Sequence, residues 1–538
     1  MNRLKLDKSF LIRNVIVSAI FIFAAMLILF FTSKSSPLYM FNGDADTNVF
    51  MLVSKQMQNG KIIYKDIFDH KGPIWYLFFN TIYSFTDSVY CLYPAQIISA
   101  YIFFIYVRKS VKLFVDGDKK SDLISCAYCI SIMLSPVINS GKPDEFALPF
   151  MAYAIYLMSY YLKAGREIKW YQYLFVGLHI GIFFWIKFTI CMPYLVFFVL
   201  LLKQKHPHMV RNTALTLFGF LLITGGVLLY FYQNDALFNL FDVYFHANLF
   251  EYKETNIPYP LILVYNIFEF FYSYSFFWFI VLFVMIFVIH ECHRNKEFHN
   301  KIKPFLILFC GMLGCSLLEM IVVRPCYMSY HTPLFAGVPL MIYMARECFV
   351  SNEALKQRFT GFYTKIIGTV KSKSIFIAVV CFFFALQFAV TMSNNMDRVI
   401  YPPTIFDSNY SEHTLYRMAA YVNAHPHGKI RMIGGFDKGY NQLLDFKYYA
   451  DEEYYITSVY PRLEDMNAGI KQAIIDRKYD YFILENPPDE WDKNKDFLEA
   501  NDYEMVVAND ETDRWLLYDR IRCGLFVKRE FLVGEDMT

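Results

Sequence analysis

The chain has 538 residues, of which 56% are hydrophobic, 19% aromatic and only 19% charged, with a formal net charge of +2. Soluble domains carry about 25% charged residues, so this composition points to a membrane protein. The near-neutral net charge gives no hint of nucleic acid binding.

In chain order, runs of apolar residues long enough to cross a bilayer, about 20 residues each, are predicted at 11–32, 89–107, 122–138, 146–162, 171–186, 188–202, 212–232, 262–290, 303–322, 332–346 and 374–392. The first has a basic flank of Arg3, Lys5, Lys8 and Arg13. Its apolar core is too long for a signal peptide and no small-x-small cleavage site follows, so it reads as a retained anchor. With the N-terminus inside, the Lys/Arg-rich loops 108–122, 163–170, 203–211, 290–303 and 347–374 all fall on the cytoplasmic side. The segments 33–88, 139–147, 233–261, 324–331 and everything after 393 then fall outside. Lys187 interrupts the apolar stretch 171–203. A lysine at mid-membrane costs roughly 3 kcal/mol, and a tight outer turn at Lys187 avoids that cost. The 11 cysteines lie mostly in apolar runs. Cys126 and Cys129, in "ISCAYCISIML", read as small apolar residues of a spanning helix rather than as a metal or redox pair. Cys326 and Cys523 are expected outside the membrane, with nothing to pair them.

After Asn394 charge rises and the apolar runs shorten. "SEHTLYRMAAYVNAHP" predicts a helix capped by Ser411 and stopped before Pro426. "KIRMIGG", "YDYFILEN", "YEMVVAND", "RWLLYDR" and "GLFVKRE" predict strands, and "RLEDMNAGIKQAIIDRK" an amphipathic helix. This alternation predicts a small α/β domain at 394–538, following a membrane domain at 1–393. Gly434–Gly435 follows a strand, but no GxGxxG opens a helix, so a nucleotide fingerprint is not supported. No internal repeat is visible.

The first outer segment carries "NGDADTNVFMLVSKQMQNGKIIYKDIFDHKGPIWY". Residues 47–57 have an apolar face made by Val49, Phe50, Val53 and Met57. Residues 73–85 are aromatic but too short to span. Both predict helices lying in the membrane interface, which would hold carboxylates at the lipid–water boundary. Such a place suits a substrate with a lipid tail and a polar head, such as a sugar on a polyprenyl phosphate. Its transfer needs a carboxylate to accept the proton of the attacking hydroxyl, cations to stabilise the departing phosphate, and a cavity that aligns the two reactants. The outer segments supply Asp44, Asp46, Asp144 and Glu145 as carboxylates. They supply Lys71, Lys187, Arg324 and His331 as phosphate partners. The plainer reading of any one outer carboxylate is solvation. Asp66 and Asp69 also read as caps of the following helix or shapers of the Gly72–Pro73 turn.

The pattern "GDADTNVF…NGKIIYKDIFDHKGPIWY" resembles bacterial membrane glycosyltransferases of the GT-C superfamily, in the protein O-mannosyltransferase and aminoarabinose-transferase-like group. "GKPDEFALPF", "GIFFWIKFT" and "RPCYMSYHTPLFAGVP" are similar to that group's second outer loop, its lysine-bearing helix and its outer arginine and histidine. The resemblance covers roughly residues 10–350 in organisation, and 42–76 is its specific part. It implies an α-helical polytopic fold of about 11 transmembrane helices with interfacial helices in the first outer loop (33–88). With the 394–538 domain, that loop would lie outside a bacterial inner membrane. It implies a general base at Asp46, with Asp44 as the alternative, and a lipid-phosphate contact at Lys71, joined by Arg324, Lys187 and His331. Asp144, Glu145 and His70 would bind acceptor or sugar. Asp46 lacks the adjacent Asp-Glu pair of the O-mannosyltransferases proper, and the HKGP form suggests the branch acting on envelope glycans or lipids. The expected activity is an inverting, mannosyltransferase-like transfer from a polyprenyl-phosphate sugar, hexosyl or pentosyl, to an envelope glycan, lipid or protein. No cofactor is predicted; the acidic cluster is compatible with a divalent metal without calling for one. The rival reading, a transporter or flippase for lipid-linked glycans, expects charges at mid-membrane and a repeat between chain halves, whereas the charges here gather at the outer ends of the spans.

Overall fold

The structure is a computed structural model. It describes residues 8–39, 42, 44–86, 88–135, 141–203, 208–251, 258–273, 275–322 and 328–353, scattered positions between 356 and 389, and 414–425, 429–434, 443–444, 463–486, 488–509 and 522–532. The chain packs as two compact units. The first holds residues 1–33, 93–225 and 257–393, and the second 34–92, 226–256 and 394–538.

The first unit is helical. It contains α1 (Lys8–Thr32), α4 (Leu92–Phe114), α5 (Asp118–Met133), α6 (Pro143–Ala164), α7 (Trp170–Phe184), α8 (Met192–Lys203) and most of α9 (Met209–Gln233). It continues with α10 (Tyr259–Ser273), α11 (Ser275–Arg294), α12 (Lys296–Val322) and, after a 3₁₀ segment at Met328–Gly337, α13 (Val338–Ser351). Among the described residues four helical stretches are long and apolar enough to cross a membrane, Leu11–Thr32, Met209–Gln233, Lys296–Ile321 and His331–Ser351, and shorter apolar helices accompany them. Phe104, Val107, Met158, Ile302, Phe309 and Met344 form part of the core. Helix α1 turns Ile16, Ile20 and Phe23 outward, and α9 exposes Phe218, Leu221 and Leu222. Apolar surface of this extent is suited to lipid.

Several helix boundaries follow from local sequence. Pro143 opens α6 at its first position, Asp144 and Glu145 follow in the first turn, and Gly165 closes the helix in the left-handed conformation at φ 61°. Proline lacks only an N–H that the first turn cannot use, and carboxylates there oppose the positive end of the helix dipole. Lys187 lies in an extended turn between α7 and the 3₁₀ turn Phe188–Cys191 that leads into α8. Cys126 and Cys129 sit on α5 as thiols, and Cys523 is a buried thiol. The stretch expected to be one span at 262–290 is two helices, α10 and α11. A side-chain contact accompanies the break. The Trp278 indole donates to the Phe270 carbonyl at 2.7 Å, a reach that a straight helix, rising about 12 Å over eight residues, would not permit.

The charges of this unit collect at opposite ends of α6, whose 22 residues extend about 33 Å. At its C-terminal end Lys163 and Lys301 reach Glu347, at 3.6 and 2.6 Å, and Arg346 pairs with Asp116. Arg13 and Arg108 likewise converge on Asp122. The loops 108–122, 163–170 and 290–303 are tied into these two networks. At the N-terminal end of α6 stand Asp144 and Lys187.

In the second unit α2 (Ala45–Gln58) packs on α3 (Pro73–Tyr83) through Phe50, Trp75, Tyr76 and Phe79, with edge-on ring contacts at 5.6–6.1 Å. These are the two helices expected from the first outer loop. The end of α9 leads to a π-helix, Leu240–Glu251. The C-terminal part of the unit is a four-stranded sheet in the order β1-β2-β4-β3. Its strands are β1 (Ile430–Gly434), β2 (Tyr481–Asn486), β3 (Tyr503–Ala508) and β4 (Arg522–Lys528). The expected helix before β1 is α14 (Thr414–Ala424). β1 and β2 are parallel, as the intervening helix α15 (Leu463–Ile475) requires, and β4 is antiparallel to both β2 and β3. A further helix, α16 (Pro488–Ala500), has no counterpart among the predicted elements. Phe482, Leu484, Trp491, Leu498 and Phe526 fill the core of this part. Ser411, Arg324, Cys326 and the expected strand at 514–520 lie outside the described residues.

Helices α7 and α9 meet through glycine. A Cβ on Gly177 would stand 2.0 Å from the Thr216 carbonyl oxygen, and one on Gly219 2.5 Å from that of Leu174, the close backbone approach that small residues allow between membrane helices. Gly177→Ala is expected to lower the melting temperature of the detergent-solubilised protein, by on the order of 1–3 kcal/mol of overpacking. Gly226→Ala, whose Cβ meets nothing within 4 Å, should leave it unchanged or slightly higher. Equal behaviour of the two variants would contradict the close approach.

Candidate active site

In the second unit the start of α2 is built around Asp44. Its Oδ1 accepts from the Thr47 amide and hydroxyl, both at 3.2 Å, which makes Asp44 the N-cap of α2. Its Oδ2 lies 3.1 Å from Lys34 Nζ, with both side chains only 7% exposed. Its own amide donates to Asn42 Oδ1. Both carboxylate oxygens of Asp44 are therefore engaged in holding the helix entry. Asp46 is in the first turn of α2 and half-buried.

Residues 59–72 form a tight loop between α2 and α3. Tyr64 has φ 71°, a left-handed conformation that costs a bulky residue on the order of 1–3 kcal/mol. Its amide donates to the Ile67 carbonyl, its hydroxyl donates to the Lys71 carbonyl, and its ring stacks on Phe231 at 5.6 Å. Asp66 accepts from the Ile62 amide at 2.7 Å, so it closes its own turn. The expectation that Asp66 or Asp69 caps the next helix is corrected: the N-cap of α3 is Gly72, with Pro73 at the first position and no side-chain cap. The Asp69 carboxylate instead faces His70, accepting from its amide at 2.6 Å and lying 3.3 Å from its Nδ1. Asn248 of the π-helix donates to the His70 carbonyl at 2.7 Å.

His70 Nε2 lies 2.9 Å from Lys71 Nζ. An ammonium has no acceptor, so the imidazole accepts there, which leaves its proton on Nδ1 facing Asp69. Burial, and secondarily the charge of Lys71, hold the His70 pKa below its ordinary value, although Asp69 and Asp46 pull it the other way. The sensitivity of His70 to Asp46 places that carboxylate in the same electrostatic neighbourhood. Burial also raises the phenols of Tyr64 and Tyr76 well above their usual range, so both stay neutral. Among the described residues no carboxylate lies within ion-pair distance of Lys71. Its close polar partner is the imidazole that burial keeps neutral.

The first unit holds a second cluster. Lys187 Nζ is 3.0 Å from Asp144 Oδ1 and 3.8 Å from Glu319 Oε1, and Asp144 and Glu319 are buried. The charge of Lys187 also acts on His331, which is buried with its ring edge-on to Phe270 at 4.4 Å. Glu145 belongs elsewhere: it accepts twice from Gln96, at 3.0 and 3.1 Å, and once from the Gly141 amide. The neighbours Asp144 and Glu145 thus serve different partners. Glu319, Gln96 and Lys34 are not among the candidates read from sequence. A signal for Glu319 is present there, since it is the sole charged residue of the apolar stretch 304–323, where an unpaired acid is costly.

No protein-family model and no curated protein matches the sequence. Solved structures show its fold, which is that of a GT-C membrane protein. It is similar to ArnT from Cupriavidus metallidurans in the apo state, with a TM-score of 0.57 and 11% identity over 97% of this chain and 99% of that one. It is also similar to the same protein bound to undecaprenyl phosphate, with a TM-score of 0.53 and 11% identity over 94% and 97%.

Asp44→Ala strips the cap of α2 and removes the carboxylate that lies 3.1 Å from buried Lys34, a loss of roughly 3–5 kcal/mol. It should melt well below wild type in detergent, whereas Asp46→Asn should melt close to it. The depressed His70 pKa means that the unfolded chain binds a proton before the folded one does. The stability from neutral His70 is complete above about pH 6.5 and is lost as pH falls through the lower folded value. Thermal melts between pH 8 and about pH 5 should show this loss, and His70→Gln, which keeps an acceptor for Lys71 but does not titrate, should flatten it.

Proposed function

We propose that the protein is an inverting glycosyltransferase that moves a sugar from a polyprenyl-phosphate donor to a cell-envelope acceptor. The observation that carries this reading is the Lys71 ammonium, held by a neutral imidazole rather than a carboxylate, in the same unit as Asp46. The GT-C fold, shared with a protein solved with undecaprenyl phosphate bound, supports a polyprenyl phosphate as the lipid that Lys71 meets.

In this reading the acceptor hydroxyl attacks the anomeric carbon and its proton passes to the Asp46 carboxylate. The bond from that carbon to the phosphate oxygen breaks on the opposite face, and the electron pair leaves with the polyprenyl phosphate. Lys71 stabilises the charge that grows there, which is where a preorganised cation lowers the barrier. We assign the base to Asp46 rather than Asp44 because Asp44 caps α2 and pairs with buried Lys34, a structural role in the helix entry. His70 orients Lys71. Lys187 is already paired with Asp144, so this pair and Glu319 suit the hydroxyls of a sugar or acceptor, as does Glu145. His331 and Arg324 remain candidates for the phosphate. We further propose about 11 spans in a bacterial inner membrane, a membrane domain at 1–393, and a 394–538 domain that lies outside the cytoplasm with the first loop.

Asp46→Asn is expected to lower kcat by about 10²–10⁴-fold, the usual worth of a positioned base. Lys71→Ala should lower kcat/KM by about 10²–10³-fold. Both are measured as sugar transfer from a polyprenyl-phosphate sugar, with the acceptor identified by glycan and lipid profiling of a deletion strain. Wild-type turnover in both variants would sink the assignment. Movement of a lipid-linked glycan across a reconstituted bilayer without bond formation would favour a transporter instead.

A further inference from the structure

The π-helix Leu240–Glu251 carries Asp242, His246 and Glu251. His246 Nδ1 lies 3.7 Å from Asp242 Oδ1 and 3.1 Å from Glu251 Oε1, and the three donor atoms fall within 4.8 Å of one another. Two donors on a tetrahedral zinc ion, each about 2.1 Å from the metal, stand about 3.4 Å apart, so the observed spacings bracket that value.

The backbone is what brings them together. In an α-helix of about 3.6 residues per turn, the step from 242 to 251 makes about two and a half turns and would put Glu251 on the face opposite Asp242. A π-helix closes i→i+5 hydrogen bonds and has about 4.4 residues per turn. Positions 242, 246 and 251 then share one face. Helices of this kind are rare and occur mostly as single turns at functional sites, whereas here the conformation persists for 12 residues.

We propose that Asp242, His246 and Glu251 bind a divalent transition-metal cation, with zinc as the best fit to one imidazole and two carboxylates. The imidazole disfavours Mg²⁺ and Ca²⁺, which take oxygen ligands. Three protein ligands leave a further coordination position for water or another oxygen. The ion braces the π-helix, whose Asn248 donates to the His70 carbonyl, and so steadies the loop that presents Lys71. The site holds its ion whether or not the chain is a transferase.

The test uses the full chain in detergent, stripped with a chelator, desalted, and titrated with Zn²⁺ in excess Mg²⁺, with metal content read by mass spectrometry. Wild type is expected to retain about one more zinc per chain than His246→Ala, and Asp242→Asn with Glu251→Gln should bind at least about tenfold more weakly. Zinc should raise the melting temperature of wild type and not of His246→Ala. His246 is 56% exposed, so its replacement removes little packing, and His246→Cys, which restores a zinc ligand, should recover both metal and thermal shift. Equal metal content in wild type and His246→Ala would overturn the proposal and leave His246 as an ion-pair partner of the two carboxylates.

Discussion

The cost of burying charge in so apolar a chain governs how this molecule is arranged. A buried ion is tolerated when another answers it. In the first unit Asp122 collects Arg13 and Arg108, Glu347 collects Lys163 and Lys301, and Lys187 meets Asp144. In the second, Lys34 answers Asp44. Lys71 departs from the pattern. Its companion is an imidazole that burial keeps neutral, so among the described residues a cation without a carboxylate is held on a short loop.

The loop around Lys71 shows how such a group is kept in place. Tyr64 occupies a strained conformation, and the strain is balanced by a hydroxyl bound to the Lys71 carbonyl and a ring stacked on Phe231. Gly72 and Pro73 end the loop by starting α3 directly. Asn248 ties the loop to a second segment of the same unit. The ammonium is therefore positioned by several independent contacts on the backbone that carries it.

Much of this is legible in the sequence for local reasons. The apolar faces of 47–57 and 73–85 predict α2 and α3, and the alternation after residue 394 anticipates β1 to β4. Other features are not legible. Asp44 and Asp46 look alike in a sequence, but one caps α2 and pairs with Lys34 while the other stands in the first turn. Asp144 and Glu145 are adjacent, but a helix turns adjacent side chains about 100° apart, and they serve Lys187 and Gln96. The segment 262–290 is apolar almost throughout, so nothing in its composition marks the division into α10 and α11. The α7–α9 contact depends on which glycines face one another, which spacing within one helix does not reveal.

The sequence by itself determined the positions of most elements and the residue types available for chemistry. Those properties depend on hydrophobic periodicity, capping and composition, which act over a few residues. Tertiary structure alone decided which charges neutralise one another and which is left over. It turned Lys34 and Asp44 into a pair, gathered Glu319 to Lys187, and kept carboxylates among the described residues away from Lys71. Pairing of charges depends on distance in space and on burial, and neither is a property of neighbours along the chain.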